Sequence, residues 1–74
     1  MTEKEMIASL ERQTDLLRPT GFDLSSVDEF IFVGEWLLAF EWIYVGDRRH
    51  PNVLDPDEIH ELEAYFGVDM SDLA

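Results

Sequence analysis

Apolar positions recur along this chain at intervals of three and four residues, a spacing that predicts helices from one end to the other. In the opening stretch Met6, Ile7, Leu10 and Leu17 share one side, while Glu3, Lys4, Glu11 and Arg12 fill the other. Thr2 and Glu5 have the capping-box spacing, in which each side chain satisfies the other's free backbone amide, so the first helix starts at Thr2. Pro19 and Gly21 end it. A second helix starts at Ser25 or Ser26, where Ser26 and Glu29 repeat the capping-box spacing. Val27, Phe30, Ile31 and Val33 supply its apolar surface, and Gly34 ends or bends it.

A third helix is expected from about Glu35 to Val45. Only Glu35 and Glu41 are charged in it, and a helix that is apolar nearly all round belongs at the buried centre of a bundle. Trp42-Ile43-Tyr44-Val45 has strand preference, but the length between Gly34 and Gly46 suits a helix better than a strand. Gly46 is the expected left-handed cap, followed by a loop from Asp47 to Asn52. Asp55-Pro56-Asp57-Glu58 then opens a fourth helix, with Asp55 as cap, Pro56 in the first turn and Glu58 completing a third capping box. Ile59, Leu62 and Phe66 form its inner stripe; Gly67 stops it, and Val68 and Met70 can fold back onto the bundle. The fold class is therefore all-α: a small bundle of about four short helices spanning residues 1–74 as one domain.

Composition sharpens that picture. A chain of 74 residues with no cysteine gains no disulfide and no cysteine-held metal, so its stability rests on the 46% of residues that are hydrophobic. Such a fraction, rich in aromatics, sets the chain apart from a disordered acidic tail. No run approaches the roughly 20 apolar residues that cross a bilayer. The opening Met1-Thr2-Glu3-Lys4-Glu5 is polar and acidic rather than a signal peptide, and with the missing cysteine this points to the cytoplasm.

Charge narrows the function. The formal net charge is -12, and between Pro19 and Asp47 no lysine or arginine occurs. Such a surface repels phosphate, which argues against nucleic acid and against an anionic membrane as partner. A basic protein is the natural counterpart, because complementary fields speed encounter and reject wrong partners. The plain alternative is that the acidity only keeps a small domain soluble.

The chemistry of an enzyme is missing from the pattern. No cysteine is present, Ser9, Ser25, Ser26 and Ser71 have no neighbouring histidine, and no glycine-rich phosphate loop occurs. Asp57, His60 and Glu63 stand three apart on the fourth helix, but a di-iron bundle needs a Glu-x-x-His pair on each of two helices, and a solvated acidic face explains the spacing as well. No cofactor or metal is expected. The acidic clusters are more informative: Asp55, Asp57, Glu58 and Glu61 crowd the outer face of the fourth helix, and Asp23, Asp28 and Glu29 crowd the start of the second. Like charges so close repel, and cationic side chains from a partner would relieve them; an ordinary solvated face is the alternative. Among aromatics, Trp36 and Phe40 share a face while Trp42 turns away from it. Either both tryptophans are core, or one is an exposed anchor of the type favoured in interfaces.

The run Gly34-Glu35-Trp36-Leu37-Leu38-Ala39-Phe40-Glu41-Trp42 resembles the Gly-Glu-x-x-x-Ala-x-Glu signature of the MafI-like immunity proteins. The likeness extends through the following loop to Asp55-Pro56-Asp57-Glu58 and Tyr65-Phe66-Gly67-Val68-Asp69, covering roughly residues 27–69. What it implies is a small acidic bacterial protein that binds the C-terminal domain of a cognate secreted toxin, often a basic nuclease, and blocks it without catalysis. On that reading Asp57, Glu58 and Glu61, with the neighbouring Asp55, salt-bridge to a basic toxin face, and Trp42 and Tyr44 are apolar anchors. Glu35 and Glu41 would hold the helix junction. By area scaling a folded protein of 8.6 kDa exposes about 4,700 Å², so a standard interface of about 800 Å² would cover roughly a sixth of it. The rival reading is a regulatory or adaptor domain that binds a basic helix of a cellular protein.

Overall fold

Thr2 opens the first helix as its spacing predicts: its Oγ1 accepts from the Glu5 amide at 3.1 Å, and its own amide donates to Glu5 Oε1 at 2.9 Å. The computed structural model describes residues 1–70, so Ser71 lies outside the described residues. Within them the order is α1 (Glu3–Leu17), a 3₁₀ turn (Arg18–Thr20), α2 (Ser25–Val33), α3 (Trp36–Arg49) and α4 (Pro56–Phe66), with no strand. The all-α class expected from the periodicity is thus the observed one. The accessible surface is 4620 Å², close to the area that size alone predicts.

The core gathers one stripe from each helix. Met6, Leu10 and Leu17 of α1 meet Val27 of α2, Ala39, Phe40 and Ile43 of α3, and Ile59 and Leu62 of α4. Phe40 stacks on Phe66 with ring centroids 5.5 Å apart, which fastens the end of α4 to the middle of α3. Met70 returns to the core behind Gly67, which sits at φ 69°, and its amide donates to Glu63 Oε2 at 2.9 Å. Burying each such large apolar side chain contributes about 1.5–3 kcal/mol, and that gain sets which face of each helix turns inward. Among the described residues the buried polar side chains are Ser9, Gln13 and Thr14; Thr14 folds its hydroxyl back onto the Leu10 carbonyl at 2.7 Å.

Three local expectations are corrected. First, α3 does not stop at Gly46 but continues to Arg49, and Gly46 is buried inside it. A Cβ there would lie 2.8 Å from Leu17 Cδ1 and 3.1 Å from two ring atoms of Phe22, so the glycine serves close approach of α1 and the following turn to α3. Arg48 and Arg49 consequently fall in the last turn, where the negative end of the helix dipole favours them. Second, the Ser26–Glu29 box does not form. Asp23 Oδ1 accepts both the Ser25 amide (3.0 Å) and the Ser25 hydroxyl (2.7 Å), which moves the cap upstream and starts the helix at Ser25. Third, Asp55 caps α4 alone, accepting from the Asp57 amide at 3.0 Å, because the Glu58 carboxylate is committed elsewhere.

Only Gly34 and Glu35 separate α2 from α3. Gly34 takes φ 82° and its amide reaches the Ile31 carbonyl at 3.3 Å, while the Glu35 amide donates to the Phe30 carbonyl at 2.8 Å. This left-handed closure turns the chain sharply. Glu35 occupies the N-cap position of α3 but makes no side-chain cap hydrogen bond, so the junction is held by backbone rather than by that carboxylate.

Candidate functional site

The carboxylates chosen from the sequence separate into two groups. Asp57 and Glu61 stand one turn apart on α4 and are exposed, and Asp55 is exposed just before them. Glu58 is not on the outer face. Its side chain is 16% exposed and turns toward α1, where Oε1 accepts from Ser9 Oγ at 2.6 Å and from Arg12 Nε at 3.2 Å. Gln13 completes the set, receiving the Asp55 amide on its Oε1 at 3.1 Å while its other end donates to Glu58. Burial pushes the Glu58 carboxyl up, but hydrogen bonds from Ser9, Gln13 and Arg12 outweigh it and hold the group below its ordinary value. A charged acceptor bonded by three side chains outcompetes a single solvated helix amide, which is why the capping box is abandoned. Glu58 therefore fastens α4 to α1 and is withdrawn from the surface open to a partner.

The two aromatic anchors also part company. Trp42 and Tyr44 are two positions apart on α3, a rotation that sends them to different sides of the helix. Trp42 is 44% exposed and borders a hollow with Phe22, Asp23, Ser26, Arg49 and His50. Tyr44 is half-buried against the core and lines a separate open hollow with Asp47, Ile59, His60 and Glu63. Burial alone raises the Asp47 carboxyl in that hollow. Trp36 packs against the core, so of the two tryptophans Trp42 is the one open to a partner.

Arginine pairing consumes little of the negative charge. Arg18 forks onto Asp28 at 2.8 and 3.2 Å and also donates to Asp15 at 3.1 Å, tying the end of α1 to α2. Its guanidinium is held more firmly protonated, by Asp28 first and Asp15 next. Asp23 is held below its ordinary value by the Ser25 hydroxyl and amide. His60 Nδ1 lies 3.8 Å from Glu63 Oε1, and among the described residues no group of three His, Asp or Glu side chains is arranged to hold a metal ion. No helix among them is long and apolar enough to cross a membrane.

The structure adds a surface that the sequence reading passed over. The expectation that the third helix is the buried centre of the bundle holds for Ala39, Phe40 and Ile43 only: Leu37, Leu38 and Trp42 are exposed, and at the end of α2 so are Phe32 and Val33. Phe32 is 89% exposed. A signal for this was present, since Phe32 falls off the face defined by Val27, Phe30 and Ile31 when α2 is viewed down its axis. Leu37 and Leu38 carried no such signal, because a continuous apolar run has no phase to read.

Comparison with known proteins adds no relative: no family model, no curated protein and no solved structure matches this chain.

Proposed function

We propose that this chain is an immunity protein, a cytoplasmic stoichiometric inhibitor that binds the C-terminal domain of a cognate secreted toxin and turns over no substrate. The observation that carries the reading is the formal net charge of -12 with only five basic residues, two of which, Arg12 and Arg18, are already engaged within the fold. A nuclease holds phosphate with basic side chains, and carboxylates such as Asp57 and Glu61 can occupy the ground that a nucleic-acid backbone would take. The run that resembles the MafI-like signature, Gly34 to Trp42, supports the reading by its sequence, although its Ala39 and Phe40 are buried in the core.

The test uses a bacterium expressing a basic toxin domain encoded beside this chain. Expected is survival only when the intact chain is co-produced, with a one-to-one complex on purification. Because Glu58 belongs to the fold, the informative charge reversal is Asp57→Lys with Glu61→Lys. It should slow association by roughly tenfold at low salt and far less at high salt, as rim charges do. Full killing in the presence of well-folded chain would sink the proposal, and capture of a housekeeping protein instead would favour the adaptor reading.

A further inference from the structure

We infer that the open hollow between α3 and α4 receives an arginine side chain of the partner protein, with Asp47 as the charge partner of its guanidinium and Tyr44 as the aromatic surface beside it. The inference rests on the reading that the partner is a basic protein, and it names where one cation of that partner enters. Tyr44, Asp47, Ile59, His60, Glu63 and Asp69 line this one hollow, which holds about 570 Å³. Helical spacing sets its two walls. Tyr44 and Asp47 stand three positions apart on α3, and Ile59 and Glu63 four apart on α4, so each pair shares a side of its helix. Asp47 joins Tyr44 there because α3 runs past Gly46 to Arg49. Leu54 and Ile59, both buried, make part of the lining apolar.

The state of the lining selects the occupant. Among the described residues no lysine or arginine borders this hollow, and Arg48 and Arg49 line a different one with Val45. Glu63 is already engaged: its Oε2 accepts the Met70 amide at 2.9 Å, and its Oε1 lies 3.8 Å from Nδ1 of His60, an exposed side chain. Asp47 is not engaged. Among the described residues it has no hydrogen bond or ion pair, and partial burial alone raises its carboxyl. A carboxylate that has lost water without gaining a partner is stabilised by an arriving cation and destabilised further by an anion or a purely apolar group. The acids and His60 are not grouped to hold a metal ion among the described residues, so the cation must be an extended one. A guanidinium reaches separated acceptors with five donors and stacks on an aromatic face, whereas an ammonium is a compact point charge.

The experiment titrates the isotope-labelled full chain, followed by NMR, with Nα-acetyl-arginine amide. The matching lysine and citrulline amides and free arginine are run beside it. Expected are saturable shifts centred on Tyr44, Asp47 and Glu63, and a lower titration pH for the Asp47 carboxyl once the arginine amide is bound. The citrulline amide keeps the shape and loses the charge, and should bind roughly tenfold more weakly. Asp47→Asn should weaken the arginine amide by about fivefold, the scale of one partly exposed ion pair, with a melting temperature unchanged or raised. If that variant does not fold, the Asp47 titration in the wild type decides. Equal binding of the lysine or citrulline amide, tighter binding of free arginine, or shifts centred on Asp57 and Glu61 would each overturn the inference. So would undiminished affinity in Asp47→Asn, or wild-type dimers that this variant dissolves. A toxin complex unaffected by Asp47→Asn, with no binding of the arginine amide, removes the hollow and keeps the immunity reading. Binding of the amide in the hollow without protection against any toxin does the reverse.

Discussion

Glu58 shows how one carboxylate can belong to the fold although its neighbours in sequence face water. It accepts from Ser9 and Arg12, residues 49 and 46 positions away, and each hydrogen bond to a charged group contributes about 1.5–3 kcal/mol. Glu58→Gln should therefore lower unfolding free energy by about 1–3 kcal/mol, read by urea titration. The sign with pH follows from the direction of its shift. The folded carboxyl lies below its ordinary value of 4.5, so its contribution is complete above that value and fades as pH falls through the folded one. The gap between wild type and Glu58→Gln should accordingly close in acid, and a gap that stays constant however far the pH falls below the ordinary value would contradict the assignment. Gly46 makes the complementary point about space. Gly46→Ala gains about 1 kcal/mol of helix propensity but drives a methyl into Leu17 and Phe22, and overpacking of that kind costs about 1–3 kcal/mol. A net loss of about 1 kcal/mol in thermal or chemical denaturation is expected, with helical content preserved.

At the scale of the element, what was legible in the sequence was what a few neighbouring residues decide. The Thr2–Glu5 box, the Asp55-Pro56 opening and the stops at Gly34 and Gly67 all stand where local spacing puts them. Asp55→Ala, which removes the acceptor of the Asp57 amide, should cost about 1 kcal/mol and fray the first turn of α4, seen as faster amide exchange there. Features that depend on distant residues were not legible. Gly46 looks like a helix cap until Leu17 and Phe22 are known to press on it, and Glu58 looks like a surface acid until α1 is laid beside α4. The apolar run of α3 predicted burial, yet four short helices have too little volume to surround it, and Leu37, Leu38 and Trp42 stay outside. The site therefore emerged only in part from the sequence. Asp57, Glu61 and Trp42 are exposed, Glu58 is not, Phe32 was legible from its phase on α2, and Leu37 and Leu38 required the three-dimensional arrangement.

The whole molecule combines a formal net charge of -12 with exposed apolar side chains at the end of α2 and the start of α3, and like charge opposes contact between copies. The isoelectric point is near 4.1, so acidification removes the field while Phe32, Val33, Leu38 and Trp42 remain exposed. Light scattering should rise as the pH approaches that value, and Phe32→Ser should shift its onset toward lower pH or suppress it; scattering unaltered by the substitution would place the association elsewhere. The seam between α1 and α4 has a mechanical meaning. Met1 shares a surface hollow with Glu61, Ala64 and Tyr65, and farther along Arg12 grips Glu58, so the two outer helices lie side by side in opposite directions. Tension drawn through residues 1 and 70 loads this seam together with the packing of Met6 and Leu10 against α3. Under pulling the molecule should part from Met1 inward, with buried Met6 and the Ser9–Glu58 hydrogen bond strained before the Arg12–Glu58 clasp, leaving the turn between α2 and α3 the last piece to lose its shape.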